Sequence, residues 1–502
     1  MSFANYSFNL KALILSLGLP ILSLSVNASP LLNSVVVHSK AYQNNPELQA
    51  LLRPYLGQEI NAKLLQNILD EVSHYYQEKG FYSSQAYYPD QSTTQGVITV
   101  EVAHPRLGEV NINNLSTLNS YAEKLLFKSF NNFEEQYFDE EALQNHLYRL
   151  SDLNAFSLNA SYAETKLDDT VSLDLDINKI KPVNYLLFVD NYGTKASGKI
   201  RGGGQVQFNN ITKSADNLSL FYARSNEKQN NFSLSYEIPV SSHPTLLGSS
   251  VCLSNYELGS EYKVLGAKGK ALSYDLYLKE PLYRSSNSKL QLTLGTEYNK
   301  LSDEFEVFDL EFKKHSLLGY LSLGGAHNAN KIYLQGEIKT SLGNLKNDDD
   351  YKLYKEGGFS IFNFDGSLAY KYSDYVEFKD NLIMQLGSKE LDSSERFIAG
   401  GAQRVSAYDS NVSSGDSGIF NSTILQLKPL KALDLFVSPH FDSAYVKSSD
   451  YDGLKLFGAG LSLNFKHQGF FVNSSLDFPI GHLENVDEDN FKIFVRTGYI
   501  YA

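Results

Sequence analysis

The stretch Lys-Leu-Gln-Leu-Thr-Leu-Gly-Thr-Glu-Tyr-Asn at residues 289–299 decides the fold class. Leu290, Leu292, Leu294, Thr296 and Tyr298 fall on one side of an extended chain. Gln291, Thr293, Gly295, Glu297 and Asn299 fall on the other. A side-chain period of two is the signature of a strand with one apolar and one wet face. Ile332, Leu334 and Ile338 alternate in the same way with Gln335, Glu337 and Lys339, and Phe457 to Phe465 with Gly458 to Lys466. From Asn184 to the last residue about sixteen such segments follow one another, each taking roughly 20 residues with its loop, as tilted bilayer-spanning strands do. A soluble sandwich would show strands of about 5–6 residues, whereas these segments run to about 9–12. A polar strand face is tolerable in a membrane only if it lines a wet lumen, and closing the sheet leaves no unpaired edge in lipid. Tyr185, Tyr192, Tyr222, Tyr256, Tyr298, Tyr372, Tyr499 and Tyr501 flank the segments. In a chain with 34 Tyr, 30 Phe and no Trp, they are expected to form the interfacial aromatic girdle.

Composition agrees with this and removes alternatives. The 502 residues carry 44 Lys plus Arg against 57 Asp plus Glu, a net charge of −13, the wrong sign for a nucleic-acid binder. A mean hydropathy of −0.29 leaves no room for repeated helical spans. One cysteine, Cys252, excludes an internal disulfide framework; it is expected to be buried or lipid-facing. Lys11, the apolar run Ala12–Val26 and the small residues Val26 and Ala28 describe a secretory signal peptide over residues 1–28.

Between that leader and the barrel lie two modules of about 75 residues, near the lower limit for a self-standing core. Residues 31–104 predict strand, helix, helix, strand, strand, with a helix over 61–79 ending at Gly80. Residues 105–181 predict a similar order: strand at 109–112, helix at 140–150, strands at 156–163 and 171–177. One fold used twice is expected.

Four stretches resemble the outer-membrane translocators of two-partner secretion, the haemolysin and filamentous-haemagglutinin secretion proteins of the Omp85 superfamily. Tyr76–Phe81 with Gly80, then Pro89, Gln91 and Gly96, resembles the family's first POTRA domain. Val189-Asp190-Asn191-Tyr192-Gly193 with Gly198 and Arg201 resembles the segment that opens its barrel. Ser394-Glu395-Arg396-Phe397-Ile398-Ala399-Gly400-Gly401, followed by Val405, Tyr408, Gly415 and Asp416, resembles its lumen loop, here spanning 388–418. His440–Val446, with Asp442, resembles the strand that this loop meets. The resemblance implies a membrane β-barrel of about sixteen antiparallel strands (184–502) behind two α/β POTRA domains in the periplasm. It also implies secretion, without ATP, of an unfolded partner polypeptide, adhesin- or haemolysin-like and β-helical, by a monomer set in outer-membrane lipid.

Departures from the pattern carry expectations of their own. The family's loop arginine falls on Ser406 and its glycine on Ala407. Arg404 shares the parity of Ser406 and is expected either to pair with Asp442, whose face should be luminal, or to be merely solvated. The plug helix of many relatives is expected to be missing ahead of the first POTRA domain. No phosphate-binding G-x-x-x-x-G-K-[ST] or H-E-x-x-H motif occurs, so no cofactor, metal or enzyme activity is expected. The acidic runs 348–350 and 487–489 are expected to be solvated loops. An Omp85-type assembly or insertase role is the alternative function, set against by the count of two POTRA modules. A diffusion porin is opposed by the roughly 150 residues before the barrel.

Overall fold

The computed structural model describes residues 30–39, 46–81, 84–92, 95–104, 106–131, 133, 139–164, 170–259, 263–264, 266–351, 356–410, 412–449, 453–481 and 489–501. The leader over 1–28, Asp487 and Glu488 lie outside them. Two compact units result, residues up to 105 and residues from 106 onward.

In the first unit, β1 (Ser34–Ser39), α1 (Pro46–Leu52), α2 (Ala62–Glu78), β2 (Gln85–Tyr87) and β3 (Val97–Ala103) build a sheet in the order β1-β3-β2, with β1 parallel to β3. The Asn61 side chain caps α2 by accepting from the Leu64 N–H at 2.9 Å, which satisfies one of the helix's orphan donors. Leu64, Ile68, Val72 and Tyr76 recur at helical spacing and pack on Ile98 and Val100. Gly80, at φ +96°, turns the chain out of the helix.

The second unit begins with the same plan. β4 (Arg106–Asn113), α3 (Ser120–Phe130), α4 (Glu140–Ser151), β5 (Ser157–Glu164) and β6 (Thr170–Asn178) give the sheet order β4-β6-β5. The sequence reading missed α3, although Ala122, Leu126 and Phe130 are spaced for one buried face and Asn119 caps the helix. His146 on α4 is buried between Phe130 and Phe133, with Ser129 Oγ 2.9 Å from Nε2.

Sixteen further strands among the described residues close into an antiparallel barrel. They are β7 (Val183–Asp190), β8 (Arg201–Asn209), β9 (Asn217–Ser225), β10 (Asn230–Pro239), β11 (Leu246–Glu257), β12 (Ala267–Arg284), β13 (Ser288–Phe305), β14 (Leu310–Ala329), β15 (Ile332–Asn347), β16 (Gly357–Lys371), β17 (Val376–Gly387), β20 (Ser417–Leu427), β21 (Asp434–Lys447), β22 (Leu454–His467), β23 (Phe470–Pro479) and β24 (Lys492–Tyr501). The short pair β18 (Phe397–Ile398) and β19 (Ser414–Gly415) belongs to the loop between β17 and β20. Leu290 and its even-numbered neighbours face outward, as the alternation required.

Strands β12 to β16 are longer than the expected 9–12 residues, at 15 to 20. Their extra residues are charged (Lys268, Lys270, Lys300, Glu304, Lys313) and continue the sheet past the apolar band, where polar side chains no longer cost burial in lipid. Two of the tyrosines assigned to the girdle point inward instead. Tyr256 lies across Gly269 of the neighbouring strand and donates to Asp303 at 3.0 Å; Tyr192 lies beside Arg201 and Arg496. Tyr277 over Gly248 and Tyr320 over Gly295 repeat the device, donating to Glu237 and Asp275. An aromatic ring laid over a glycine fills the gap in the lumen wall, and its hydroxyl joins the wet network. Cys252 also faces the lumen, exposed and 3.5 Å from Ser233 Oγ, rather than being buried or lipid-facing.

The domain preceding the barrel is docked on its turns at one end. Tyr121 donates to the Pro239 carbonyl, Asn210 to the Thr117 carbonyl, and Arg284 forks onto Asp152 at 2.7 and 3.1 Å. Ala215, in the β8–β9 turn, completes the domain's apolar core. The loop between β17 and β20 leaves the barrel at the opposite end.

Candidate functional site

The loop over 388–416 folds back into the lumen and is held there by its own small core and by the wall. Phe397, Ala399, Val405, Ala407 and Tyr408 pack with Phe420, Ala444, Val446 and Leu456 of the wall. Tyr408 also donates to the Phe457 carbonyl at 3.2 Å. Gly400 permits a reversal so tight that a Cβ would collide with the Asp409 carbonyl, and Gly401 sits at φ +102°. The wall makes room in turn: a Cβ on Gly458 would stand 3.0 Å from that of Ala407.

Asp416 ties the base of the loop. Its carboxylate accepts from Leu391 N at 2.7 Å and Ser449 N at 2.9 Å, with Arg396 Nε 3.6 Å away. Gly415 fits where a Cβ would meet the Lys447 carbonyl. Glu395 lies further in, its carbonyl accepting from Gln385 at 2.8 Å. Burial, then the neighbouring carboxylates Glu297 and Asp392, push the Glu395 carboxyl up to about 7.

Arg404 does not reach Asp442. Its guanidinium lies over the rings of Phe397 and Phe420, 5.9 and 5.7 Å from their centroids, and donates to the Gln403 carbonyl. Asp442 is luminal, as its parity required, and is met by Ser406 Oγ at 3.1 Å and Ser422 Oγ at 2.7 Å. Its nearest cationic side chain comes from the wall. His440 Nε2 stands 3.9 Å from Asp442 and 2.8 Å from Asp477, in a space that exists because residue 460 is glycine. Arg404 therefore stacks between a loop ring and a wall ring, while Ser406 makes the contact with Asp442.

The ionic ties of the loop lie elsewhere, and the sequence reading did not find them. Lys314 of β14 meets Asp392 at 2.8 Å, with side chains only 2% and 5% exposed. Burial alone would raise the Asp392 carboxyl; Lys314 and Ser394 outweigh it and hold the group below its ordinary range. Lys492 of β24 meets Asp409 at 2.9 Å. The loop is thus anchored at β14, β21 and β24. A cavity of about 410 Å³ remains between it and Tyr192 and Arg201 of the wall, lined also by Arg396 and Arg404.

Asp190, Asn191, Gly193, Gly198 and Arg201 gather at the seam where the last strand meets the first. Only six residue pairs join β24 to β7, from Arg496–Asp190 to Tyr501–Tyr185. Asp190, with its side chain fully buried, accepts from Arg201 Nε and Arg496 Nε, each at 2.9 Å. The Asn191 amide prolongs the ladder by one step, donating to the Ile493 carbonyl at 2.8 Å and accepting from Val495 N at 2.7 Å. Gly193 and Gly198 face each other across the following turn without room for a Cβ.

The motif residues of the first unit behave alike. Gln91 donates to the Thr99 carbonyl and accepts from its N–H, both at 2.6 Å, so an amide side chain stands in for a strand residue beside β3. Pro89 leads into that segment, and Gly96, at φ +68°, lies where a Cβ would strike the Leu31 carbonyl. No group of metal-ligating side chains occurs among the described residues.

Comparison with known proteins agrees with this geometry. The profile of the haemolysin secretion/activation protein family ShlB/FhaC/HecB matches residues 169–465, and that of the ShlB-type POTRA domain matches residues 31–104. The heme/hemopexin transporter protein HuxB of Haemophilus influenzae is 24% identical over 470 residues, covering 89% of this chain and 82% of its own. The outer membrane transporter CdiB of Dickeya dadantii is 19% identical over the same shares of each chain. Among solved structures, CdiB from Escherichia coli superposes with a TM-score of 0.75 at 18% identity, over 96% of this chain and 93% of that one. BamA from Haemophilus ducreyi, lacking POTRA domains 1–3, gives 0.55 at 16% identity, over 93% and 99%.

Proposed function

The chain belongs to the haemolysin secretion/activation protein family, and from that premise we propose how its parts secrete a partner polypeptide across the outer membrane. The chain is an outer-membrane transporter, and a secreted partner protein is its cargo. The docked domain and the ShlB-type POTRA domain face the periplasm. There they receive the partner unfolded, its backbone adding to a free edge of a POTRA sheet and its apolar side chains seating beside it. The partner is an adhesin- or haemolysin-like β-helical protein, and one monomeric barrel serves it.

One observation carries the mechanism: the 388–416 loop occupies the lumen yet is fastened by a few discrete contacts rather than by a continuous wall. Unseating Asp392, Ser406 and Asp409 from β14, β21 and β24 opens the path. The displaced loop exposes a polar lining of tyrosine hydroxyls, carboxylates and lysines, which retains no apolar segment. Folding of the partner outside draws the chain through without ATP.

Deleting the protein tests this. The partner encoded beside it should accumulate in the periplasm while other barrels assemble normally. Loss of general barrel assembly instead would favour the insertase role, for which the likeness to BamA speaks at the level of fold alone.

A further inference from the structure

On the outer wall, at the end away from the docked domain, cations are concentrated where the apolar band stops. Register places Arg224, Asn230, Asn255, Lys270, Ser302 and Lys313 side by side across β9 to β14. One step towards the membrane, Phe232, Leu253 and Leu272 lead into Lys300, His315 and Lys346. All these side chains share the outward parity of Leu276, Leu294, Leu317 and Leu342, which are exposed on the barrel's surface. Lys300 is a diagonal neighbour of both Lys270 and Lys313, at roughly 7–8 Å in a sheet, while Lys270 and Lys313 flank Ser302 from the strands on either side. Like charges so placed repel, a cost that an anion between them would remove. The acidic side chains stand further from the membrane: Glu311 pairs with Lys313 at 2.6 Å, Asp348 with His315 at 2.6 Å, Glu257 with Lys228 at 2.8 Å, and Glu306 with Lys268. Among the described residues, Arg224, Lys270, Lys300 and Lys346 have no ion pair and are exposed.

The same residues line a hollow of about 550 Å³ in the wall, with Phe232, Leu253 and Leu272 on one side of it and Lys270, Lys300 and Lys313 on the other. There Glu311, paired with Lys313, also reaches its rim and leaves Lys270 and Lys300 as its cations without an ion pair among the described residues. Apolar side chains below and a triangle of ammonium groups above match an amphiphile lying along the barrel, acyl chains down and phosphate up. We propose that this hollow is a binding site for a lipid with a multiply phosphorylated head group, the chemistry of the glycolipid in the outer leaflet of the bacterial outer membrane. Its occupant is lipid rather than free phosphate, because the membrane side of the hollow is Phe232, Leu253 and Leu272, which a bare anion would leave exposed. The site rests on the reading that the loop end of the barrel faces outward. It would key the rotation of the barrel in the leaflet on the β9–β15 side, away from the seam.

The test uses the full chain purified in detergent and native mass spectrometry with diphosphoryl lipid A, monophosphoryl lipid A, phosphatidylglycerol and inorganic phosphate. One diphosphoryl lipid A should be retained in preference to the other lipids, and millimolar phosphate should not displace it. Each basic residue near an anionic surface contributes about fivefold, so the triple variant Lys270→Gln/Lys300→Gln/Lys313→Gln should lose on the order of 100-fold in affinity. Lys447→Gln/Lys455→Gln, on the far side of the barrel, should lose nothing. Retention by the triple variant, equal loss in the far-side control, equal binding of phosphatidylglycerol, or displacement by phosphate would each overturn the proposal. Heat-modified gel mobility reports folding. Should the triple variant not fold, Lys300→Gln alone should lose about fivefold and the triple Lys→Arg variant none, and the reverse pattern overturns the site. Labelling Phe308→Cys in a Cys252→Ser chain on intact cells reports separately whether this end faces outward.

Discussion

Removing Asp392 isolates the loop's ionic anchor. Asp392 and Lys314 are almost wholly buried and 2.8 Å apart, so Asp392→Asn replaces the charged half of this pair with the weak acceptor of an amide. Breaking one half of a buried pair costs about 3–5 kcal/mol, because the remaining charge is uncompensated. The cost falls on the seated loop alone, since an unseated loop returns Lys314 to luminal water. Taking about 3 kcal/mol, the ratio of unseated to seated loop rises roughly 150-fold. Planar-bilayer recording of the purified full chain reads this as open probability. Asp392→Asn and Lys314→Met should both be far leakier than the native protein, and Lys314→Met/Asp392→Leu, which removes both charges, should recover most of the closed time. Asp442→Asn should shift the ratio less, because Asp442 meets the loop through hydroxyl and N–H groups. A quiet Asp392→Asn channel beside a leaky Asp442→Asn channel would refute the assignment of the anchor to β14.

The remaining expectations concern the gate, the seam and the docked domain. Glu395, with its carboxyl near 7 against an ordinary value near 4.5, is held neutral in the seated loop. Seating is therefore favoured at low pH and lost as pH rises through 7, so open probability should climb between about pH 4.5 and 7 and level off above that, and Glu395→Gln should abolish the dependence. Asp190→Asn deprives Arg201 and Arg496 of their shared partner at the shortest strand pairing, and should lower the temperature at which the barrel unfolds on gels; an unchanged temperature would deny the seam its clasp. His146 is depressed to about 4 by burial first, then by Arg149 and His243. Its contribution to the docked domain is whole above the unfolded value of 6.5 and is lost as pH falls towards 4, roughly 3 kcal/mol in all. Hydrogen exchange over residues 120–130 and 140–151, corrected for intrinsic rate, should show that loss, and His146→Gln should flatten it.

Alternation alone carried the barrel, because a period of two is a local property of the backbone and survives any register. Strand length did not follow from it. The expectation of 9–12 residues counted only the apolar span, whereas Lys268–Lys270 and Lys300–Phe305 remain hydrogen-bonded to their neighbours above the lipid, where charge carries no penalty. The placing of single tyrosines was similarly hidden: parity turns Tyr256 and Tyr277 inward, and their rings can lie across the neighbouring strand because the residue opposite each is a glycine, a fact of register between strands. The motif residues were visible as a pattern, but the work they do was not. Nothing local says that Gln91 and Asn191 replace a strand residue with a side-chain amide. Nothing local marks Lys314 as an anchor, since its partner Asp392 is 78 positions away and only the folding of the loop into the closed barrel brings them together.

Ser406 of the loop and His440 of the wall make one physical unit around Asp442. With serine at 406, the loop brings no cation to this carboxylate, and a buried carboxylate without one is costly. The wall supplies it: Gly460 leaves the space in which the His440 ring reaches both Asp442 and Asp477. Moving the cation from the loop to the strand separates two tasks that an arginine at 406 would combine. Charge compensation of Asp442 then persists whether or not the loop is seated, so opening does not strand a carboxylate. Besides its apolar packing on Ala444 and Val446, the loop gives up on leaving β21 two hydrogen bonds from Ser406, about 1 kcal/mol each. The larger electrostatic barrier shifts to Lys314–Asp392, near the base of the loop beside Asp416. A gate built this way hinges where its strongest tie lies and parts most easily at its tip, which lets the reversal at Gly400–Gly401 release from β21 before the base moves.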